Sequence, residues 1–328
     1  MLDGSHLGLA PGIHRVSAED YHADVLREGP TLSSSLARTI LNKSPLHAWT
    51  AHPRLNPEHV SKDSATFKIG RAAHREILGA GTSCAVVPPD LLSSDGGIRS
   101  NEAKAWVAER EAKGITVVKQ EVADQVAAMR VVMMEALVDV GLTLDPLCSE
   151  LTALAPVDDV WCRVMADNAP ARPFKGKRLL IDFKTTEDAS PDACIRSVES
   201  YGYDTQAAFY LDAWKAATGE ARTFLFIFQE KSPPYEVGFV RLHDAPGDEA
   251  DWLEDARSKA AYARRQWAHC LATNEWPGYP RQVAILGARS FYRKKWADQG
   301  ASDWTEAPKP TPDTLRASYA AQAPERTA

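Results

Sequence analysis

The segment from Trp161 to Thr186 constrains the fold more than any other part of this 328-residue chain. Its two halves read as neighbouring β-strands, the first ending at Asp167 and the second carrying Asp182 and Lys184. Because successive side chains on a strand point to opposite faces, Asp182 and Lys184 share one face of the second strand. The other face carries three apolar residues, Leu179, Ile181 and Phe183. One face is therefore expected to pack in a core and the other to carry chemistry.

A hairpin that joins these strands would bring Asp167 near Asp182, with the Lys184 ammonium beside both carboxylates. Mg²⁺ prefers octahedral oxygen ligands, often one or two carboxylates, with positions left for phosphate oxygens. Such an ion lowers the pKa of water, and a lysine can orient that water or help to deprotonate it. The segment therefore predicts a hard-cation site for phosphodiester chemistry. The same short spacing also fits a surface Asp-Lys pair at an ordinary strand end.

The patterns around this segment predict an α/β core, a mixed sheet flanked by helices. The expected elements are helices at 67–78, 101–113 and 122–140, strands at 149–155, 160–166 and 178–185, a helix at 204–218, strands at 222–230 and 236–242, and a helix at 248–273. Upstream, one helix that follows Ser17 and a second that stops before Pro45 form a helical extension. A polar loop is expected over 49–64.

Composition narrows the class of protein. A chain with 44% hydrophobic residues can bury a large core. It has no apolar run of 18 residues and no signal-peptide pattern at its start, so a cytoplasmic protein without a membrane partner is expected. Five cysteines, an odd number without a CxxC pair, argue against a disulfide framework, a zinc site or an iron-sulfur cluster. No GxxxxGK[ST] phosphate loop occurs, so no ATP site is expected.

Basic residues are clustered although the net charge is −6. The loop between the two site strands carries Arg172, Lys175 and Lys177, and further clusters lie at 257–265 and 289–296. The last cluster has aromatic residues between its cations. Each cluster can contact phosphates or can be an ordinary solvated surface, and composition does not separate these alternatives.

Five motifs resemble those of the PD-(D/E)xK nuclease superfamily, and in particular of RecE-like phage and prophage exonucleases of the exodeoxyribonuclease VIII type. The segment Trp161–Thr186 resembles the second and third acidic motifs, and LIDFKTTEDAS, followed by YGYDTQAAFYLDAW, is similar to the RecE type. Gln206 and Tyr210 resemble the glutamine-tyrosine motif of the next helix. GRAAHREILG, with His74, resembles a helix-borne histidine motif, and SELTALAP, with Glu150, resembles the first-strand glutamate. GIHRVSAEDYHA and LSSSLARTILNKSPLHAW are similar to the N-terminal region of RecE-like domains. The resemblance spans about Gly12 to Pro277.

This resemblance implies a restriction-endonuclease-like core, with a central mixed β-sheet flanked by helices and an N-terminal helical extension. The implied organisation has four parts: a flexible leader at 1–12, a helical region at 13–64, the nuclease core at 65–277, and a basic and aromatic C-terminal segment at 278–328. The last part of that segment, from about 297, is expected to be disordered because it is rich in Pro, Ala, Thr and charge.

The resemblance also implies a metal centre. Asp167 and Asp182 would bind Mg²⁺ or Mn²⁺, with the backbone carbonyl of Phe183 as a third ligand and His74 completing the shell. Lys184 would position the attacking water and stabilise charge on the phosphate. The third-motif acid is an aspartate here where many superfamily members have glutamate.

Further roles follow from the same resemblance. Glu150 would hold a second ion or a water molecule, and Gln206 would hold Lys184 or the scissile phosphate. Tyr210 would contact the DNA strand. Ser34 and Arg38 lie where such enzymes recognise a 5′-phosphate, although a serine-rich helix start explains the serine equally well.

The function implied is a Mg²⁺-dependent exonuclease that acts 5′ to 3′ on double-stranded DNA ends. It would leave 3′ single strands for a RecT-like annealing protein, and it would act as a homo-oligomer. Two alternatives remain open: another nuclease of the superfamily, such as an endonuclease or a single-strand exonuclease, and a non-catalytic DNA-binding module. The second predicts a broken site, whereas all the residues that match the catalytic motifs are present.

Overall fold

The computed structural model of the protein describes residues 6–59, 65–81, 83–245 and 251–298 and divides into two compact units, Met1–Tyr279 and Pro280–Ala328. The strands of the first unit are β1 (Gly12–His14), β2 (Leu32–Ser33), β3 (Cys84–Val86), β4 (Thr116–Val118), β5 (Ser149–Val157), β6 (Val160–Asn168), β7 (Leu179–Thr186), β8 (Thr223–Glu230) and β9 (Val237–Val240). Its helices are α1 (Ala18–Ala23), α2 (Ser34–Asn42), α3 (Pro45–Ala51), α4 (Ala65–Leu78), α5 (Asn101–Ala112), α6 (Gln120–Val140), α7 (Pro191–Tyr201), α8 (Tyr203–Thr218) and α9 (Trp252–Thr273). The second unit contains α10 (Ser290–Asp298). Within the described ranges, no helix has the length and apolar character needed to cross a membrane.

The main sheet of the described chain has seven strands, in the order β1-β5-β6-β7-β8-β9, with β2 paired to β6. Strands β1, β5 and β6 pair antiparallel, and β6 meets β7 antiparallel through one residue pair, Asn168 and Ile181. Strands β7 and β8 run parallel along their whole length, and β9 is antiparallel to β8. Parallel neighbours need a crossover connection, which α7 and α8 supply. The predicted mixed sheet flanked by helices is confirmed.

Strand β7 is buried on both faces in the alternation that its sequence predicts. The three apolar residues of one face pack with α4 and α6 in one core cluster. Leu180, on the other face, packs with α8 and α9 in a second cluster. Burial stabilises each such side chain by about 1.5–3 kcal/mol, so the apolar residues hold the strand in place. The strand becomes partly exposed from Lys184 to Thr186, directly after the buried Asp182.

Serine caps begin the N-terminal helices. Ser17 accepts a backbone N–H at the start of α1, and Ser33 does so at the start of α2, which confirms both predicted helices. Pro45 follows the end of α2 and also occupies the first turn of α3, after the cap residue Ser44. Proline has no backbone N–H, but at the first helical position that group would have no partner within the helix, so no hydrogen bond is lost. The predicted loop is therefore wrong at residues 49–51, which are helical.

The sequence pattern did not predict α7, although the same start signal is present in Ser190 and Pro191. The helix ends at Gly202, whose φ of 64° is left-handed and which also precedes α8. A Cβ at Gly202 would lie 3.4 Å from Arg38 Cδ. The backbone conformation and this close approach both favour glycine. The corner between α7 and α8 is thereby packed against α2.

The ends of the chain and its cysteines bear on three further expectations. Within the expected leader, Leu7 and Leu9 donate their backbone N–H groups to the carbonyls of Val25 and Leu26, and β1 begins at Gly12. The C-terminal tail expected to be disordered lies outside the described residues from 299 onward. All five cysteines are free thiols; Cys162, Cys194 and Cys270 are buried, and Cys84 and Cys148 are partly exposed.

Candidate active site

Asp167 and Asp182 come together where β6 and β7 separate. Beyond the single Asn168–Ile181 pair, Asp167 Oδ2 accepts the backbone N–H of Phe183 at 2.7 Å, so a carboxylate takes the place of a strand partner. Asp182 is 2% exposed and lies close enough to Asp167 for the two charges to interact. The structure thus places the two carboxylates beside each other, as the hairpin predicted.

Asp182 is held by an ammonium group and an amide. Lys184 Nζ forms an ion pair with Asp182 Oδ2 at 2.5 Å. Gln206 Nε2, on α8, donates to Asp182 Oδ1 at 2.5 Å. Gln206 was expected to hold Lys184 or a phosphate, but here it orients Asp182. Its buried Oε1 has no hydrogen-bond partner among the described residues.

His74 joins Asp167 to Glu150. Its Nε2 lies 3.0 Å from Asp167 Oδ2, and its Nδ1 lies 3.6 Å from Glu150 Oε1. Glu150 lies across the β5–β6 pairing from Asp167 and has a φ of 51°, a left-handed conformation that costs a non-glycine residue about 1–3 kcal/mol. Gly81 packs against this glutamate, since a Cβ there would lie 2.7 Å from Glu150 Oε1. The predicted histidine and first-strand glutamate therefore lie beside the paired aspartates.

The electrostatic state of Asp182 differs from that of Asp167. Burial raises the pKa of Asp182, and the charge of Asp167 adds to this rise against the lowering effect of Lys184. Burial also acts to raise the pKa of Asp167, but the charge and hydrogen bond of His74 outweigh it, so that pKa is lowered. Burial raises the pKa of Glu150. Three neighbouring carboxylates therefore compete for positive charge.

Two cationic groups supply part of that charge. Burial acts to lower the pKa of His74, but the charge and hydrogen bond of Asp167 outweigh it, and the pKa is raised. Burial likewise acts to lower the pKa of Lys184, yet the charges of Asp182 and Asp167 raise it overall. Both groups are therefore stabilised in their protonated forms by the acids around them.

The donor set fits a divalent cation. Buried carboxylates that repel one another are hard oxygen ligands of the kind that Mg²⁺ and Mn²⁺ prefer, and the open acceptor Gln206 Oε1 is also available. In the present side-chain arrangement, no three His, Cys, Asp or Glu groups of the described residues are spaced to hold one ion. Asp167 and Asp182 would hold such an ion, at a place where the charges of His74 and Lys184 now balance the carboxylates. Phe183, whose carbonyl was expected as a ligand, gives its N–H to Asp167 and lines the cleft.

A cleft of about 1010 Å³ opens over this cluster. Ser34 and Arg38, both expected at the site, line it from α2. Three further cations in the wall were not predicted: Arg71, Arg196 and Lys231. Arg71 precedes His74 by three residues on α4, so helical spacing alone predicts that both share a face. Arg196 lies on α7, the helix that the sequence pattern did not predict.

The cations of the β6–β7 loop do not line the cleft. Arg172, Lys175 and Lys177 are exposed, and the loop that carries them is attached through Phe174 to the α4–α6 core cluster. The structure therefore does not bring these three cations to the cleft, and their contact with DNA stays a prediction. A loop's direction depends on such tertiary contacts and not on its charge.

Another of the predicted basic clusters, on α9, is held in ion pairs within the first unit. On α9, Arg264 pairs with Asp158 and Asp212, and Lys259 pairs with Asp204. These side chains are held in ion pairs within the fold. The cluster at 289–296 belongs to the second unit.

An exposed tyrosine lines the cleft, but it is not the predicted Tyr210. Tyr210 borders the cleft but is 8% exposed, packs edge-on against Phe224 at 5.7 Å, and has a pKa raised by burial. Tyr203 lies against Lys184, whose Nζ is 5.0 Å from the centroid of the tyrosine ring. Tyr201 also lines the cleft and is 60% exposed. The sequence YGYDTQ, which ends at Gln206, contains both Tyr201 and Tyr203.

The chain is similar to one known protein family and to solved structures. The model of a family described as a PDDEXK-like domain of unknown function (DUF3799) matches residues 105–287, which is more than half of the chain. No curated protein matches the chain. The crystal structure of a candidate exonuclease from Eubacterium rectale covers 86% of this chain and 98% of its own, with 12% identity and a TM-score of 0.48. The crystal structure of SSO0001 covers 60% and 85%, with 14% identity and a TM-score of 0.24.

The family match includes Glu150, Asp167, Asp182 and Lys184, and His74 lies ahead of it. The mixed sheet and its flanking helices agree with the fold of this superfamily. The chain belongs to the PDDEXK-like domain family DUF3799, and through it to the PD-(D/E)xK nuclease-like hydrolases.

Proposed function

We propose that the protein is a DNA exonuclease that depends on a divalent metal ion. The observation that carries this proposal is the convergence of Asp167, Asp182 and Lys184, with His74 and Glu150, at one cleft. Buried groups with shifted pKa values in a large cleft are typical of catalytic sites. Membership of a PDDEXK-like family supports phosphodiester hydrolysis as the reaction.

Asp167 and Asp182 would hold the ion, with His74 and Glu150 on the side that faces β5. When bound, Mg²⁺ or Mn²⁺ supplies positive charge to the phosphate and makes water more acidic. Gln206 keeps the Asp182 carboxylate in one orientation through its hydrogen bond. Residues that are fixed in advance do not have to reorganise during the reaction.

Lys184 acts as a cation in this proposal. Its pKa is raised because the neighbouring carboxylates outweigh its burial, so the ammonium form is stable beside the phosphate. It can donate hydrogen bonds to the attacking water and to a phosphate oxygen on which negative charge grows.

The DNA end is the proposed substrate, with digestion 5′ to 3′ on double strands. Support comes from the RecE-like motifs and from Ser34 and Arg38, which line the cleft at the start of α2. Backbone N–H groups at a helix N-terminus and an arginine are both suited to a terminal phosphate. The 3′ single strands would pass to a RecT-like annealing protein, and the enzyme would act in the cytoplasm as a homo-oligomer.

The proposal is tested with end-labelled, blunt, 5′-phosphorylated duplex in Mg²⁺, with circular and single-stranded DNA alongside. The parent should degrade the linear duplex from its ends, whereas Asp182→Ala and Lys184→Ala should not. Asp139→Ala is a matched control, because Asp139 is exposed on α6 and does not line the cleft. Substantial cleavage by either site variant would place the chemistry elsewhere. Cutting of circular DNA would favour an endonuclease.

A further inference from the structure

The cleft contains an uncovered aromatic ring. Tyr201 is the last residue of α7, and 60% of its surface is exposed although it lines the cleft. Tyr262 and Tyr279 are exposed to 48% and 61%, yet neither lines the cleft. A lone exposed tyrosine is ordinary on a protein surface. Its position beside the proposed catalytic groups makes Tyr201 different.

The Tyr201 ring is supported from behind. The centroid of Tyr203 lies 5.4 Å away at an angle of 34°, and Tyr203 rests in turn on Phe226 at 5.8 Å. Arg38 Nη1 donates to the Tyr201 carbonyl at 2.9 Å and fixes the end of α7. A ring held in this way loses little conformational freedom when a ligand covers its free side.

Lys184 relates this ring to the reaction. Its Nζ lies 5.0 Å from the Tyr203 centroid, and Tyr203 lies 5.4 Å from Tyr201, so the exposed ring is within about 10 Å of Lys184, the sum of the two distances. Arg38 and Arg196 line the same cleft and can contact phosphates. Aromatic rings between cations are the composition of surfaces that bind single-stranded nucleic acid.

We propose that Tyr201 stacks on an unpaired nucleobase next to the scissile phosphate, so that the cleft takes up its strand single-stranded at this point. This inference rests on the proposed function. A base inside a duplex has both faces covered by its neighbours, so it can meet a protein ring only after it is unstacked. A duplex end would therefore have to open before its terminal bond is cleaved.

The test measures binding without cleavage. Single-stranded oligonucleotides carry 2-aminopurine at each of the three positions nearest either end, and their fluorescence, which falls on stacking, is followed in EDTA. The variants are Tyr201→Phe, which keeps the ring, Tyr201→Ala, which removes it, and Tyr262→Ala as an exposed-tyrosine control. The parent, Tyr201→Phe and Tyr262→Ala should quench one labelled position. Tyr201→Ala should lose that quenching and bind on the order of tenfold more weakly.

Three results would overturn the subsite. Equal quenching by Tyr201→Ala and the parent would mean that the ring contacts no base. A parent that degrades DNA in Mg²⁺ but never quenches the label would reject the subsite alone. A parent that neither binds nor degrades any DNA would reject the proposed function with it.

Discussion

Two clusters of charged side chains in the described part of the chain differ in their surroundings: one is enclosed within the fold, and the other lines the cleft. The structural cluster consists of Asp24, Thr31, His52 and Arg163, and the cleft cluster consists of His74, Glu150, Asp167, Asp182 and Lys184. Both contain a histidine, a long cationic side chain and buried carboxylate. They differ in how many carboxylates share the positive charge.

In the structural cluster, one carboxylate has every partner that it can use. Asp24 Oδ1 accepts from Thr31 Oγ1 at 2.5 Å and lies 2.7 Å from Arg163 Nη1, while Oδ2 accepts from the Thr31 N–H at 2.8 Å. His52 Nε2 is 3.0 Å from the same Oδ2. The Nδ1 atom of His52 accepts two backbone N–H groups, so Nε2 carries the proton that faces Asp24.

The pKa values of Asp24 and Asp182 reflect this difference in the number of partners. Burial acts to raise the pKa of Asp24, but His52 and Arg163 outweigh it, and the pKa is lowered. Burial and the charge of Asp167 instead raise the pKa of Asp182. Removing one partner from a buried ion pair is costly, whereas neighbouring acids that share too few donors are suited to accept a further cation. Both the number of partners for each carboxylate and burial separate the two clusters. The side chains of the structural cluster are at most 4% exposed, whereas four of the five in the cleft cluster are 15–22% exposed.

Asp182→Asn should remove most of the DNA cleavage activity of the cleft cluster while preserving its structure. We expect the rate of DNA cleavage to fall on the order of 10⁴-fold, as when one member of a catalytic unit is lost. The thermal midpoint should stay the same or rise, because a buried carboxylate beside Asp167 is removed. Cleavage kinetics and thermal unfolding on the same preparations check both expectations. A folded variant that still cleaves at the parent's rate would exclude Asp182 from the reaction.

Asp24→Asn should do the opposite. The free energy of unfolding should fall by about 3–5 kcal/mol, because Arg163 and His52 remain buried without their charged partner. The φ of 58° at Asp24 is no obstacle, since asparagine tolerates the left-handed region. Urea unfolding measures the loss, and the cleavage rate for each folded molecule should stay near that of the parent. A stability loss no larger than that of Asp182→Asn would erase the contrast between the clusters.

The pH dependence of stability should sharpen the same contrast. The folded pKa of Asp24 lies below its ordinary value of 3.8, so the unfolded chain binds this proton more tightly. The contribution of Asp24 is therefore complete above the unfolded pKa and is lost as pH falls through the folded pKa. The stability difference between the parent and Asp24→Asn should be constant from pH 7 to about 5 and shrink below about 4. Urea titrations at several pH values measure it, and a constant difference down to pH 3 would contradict it.

Local patterns were enough to predict much of the cleft cluster. The alternation along β7 predicted that Asp182 and Lys184 share a face, and the two-strand reading placed Asp167 beside them. The resemblance added His74 and Glu150 from distant segments. Residues close in sequence on a regular element keep the geometry of that element, which is why these predictions succeeded.

Tertiary contacts decided the remainder. Helix α8 is buried around most of its surface, so its periodicity does not show that Tyr210 packs in the core while Tyr203 meets the lysine. The four residues of the structural cluster come from separate segments and carry no local signal. The loop cations were placed by the packing of Phe174, which charge counting does not reveal.

Substitutions in the β6–β7 loop are expected to have the smallest effect. They allow a last comparison, between cations inside the cleft and cations outside it. Replacing Arg172, Lys175 and Lys177 together by alanine should leave the cleavage rate at saturating DNA within about twofold of the parent. The dependence of log affinity on log salt should also be unchanged, because each lost phosphate contact would reduce its slope by about 0.9. Arg196→Ala, which removes one cation from the cleft wall, is the control and should reduce the slope by about that amount. If the triple variant reduced the slope by two or more, DNA would extend from the cleft across the β6–β7 loop, and the charge cluster predicted from sequence would have a role that the cleft geometry does not require.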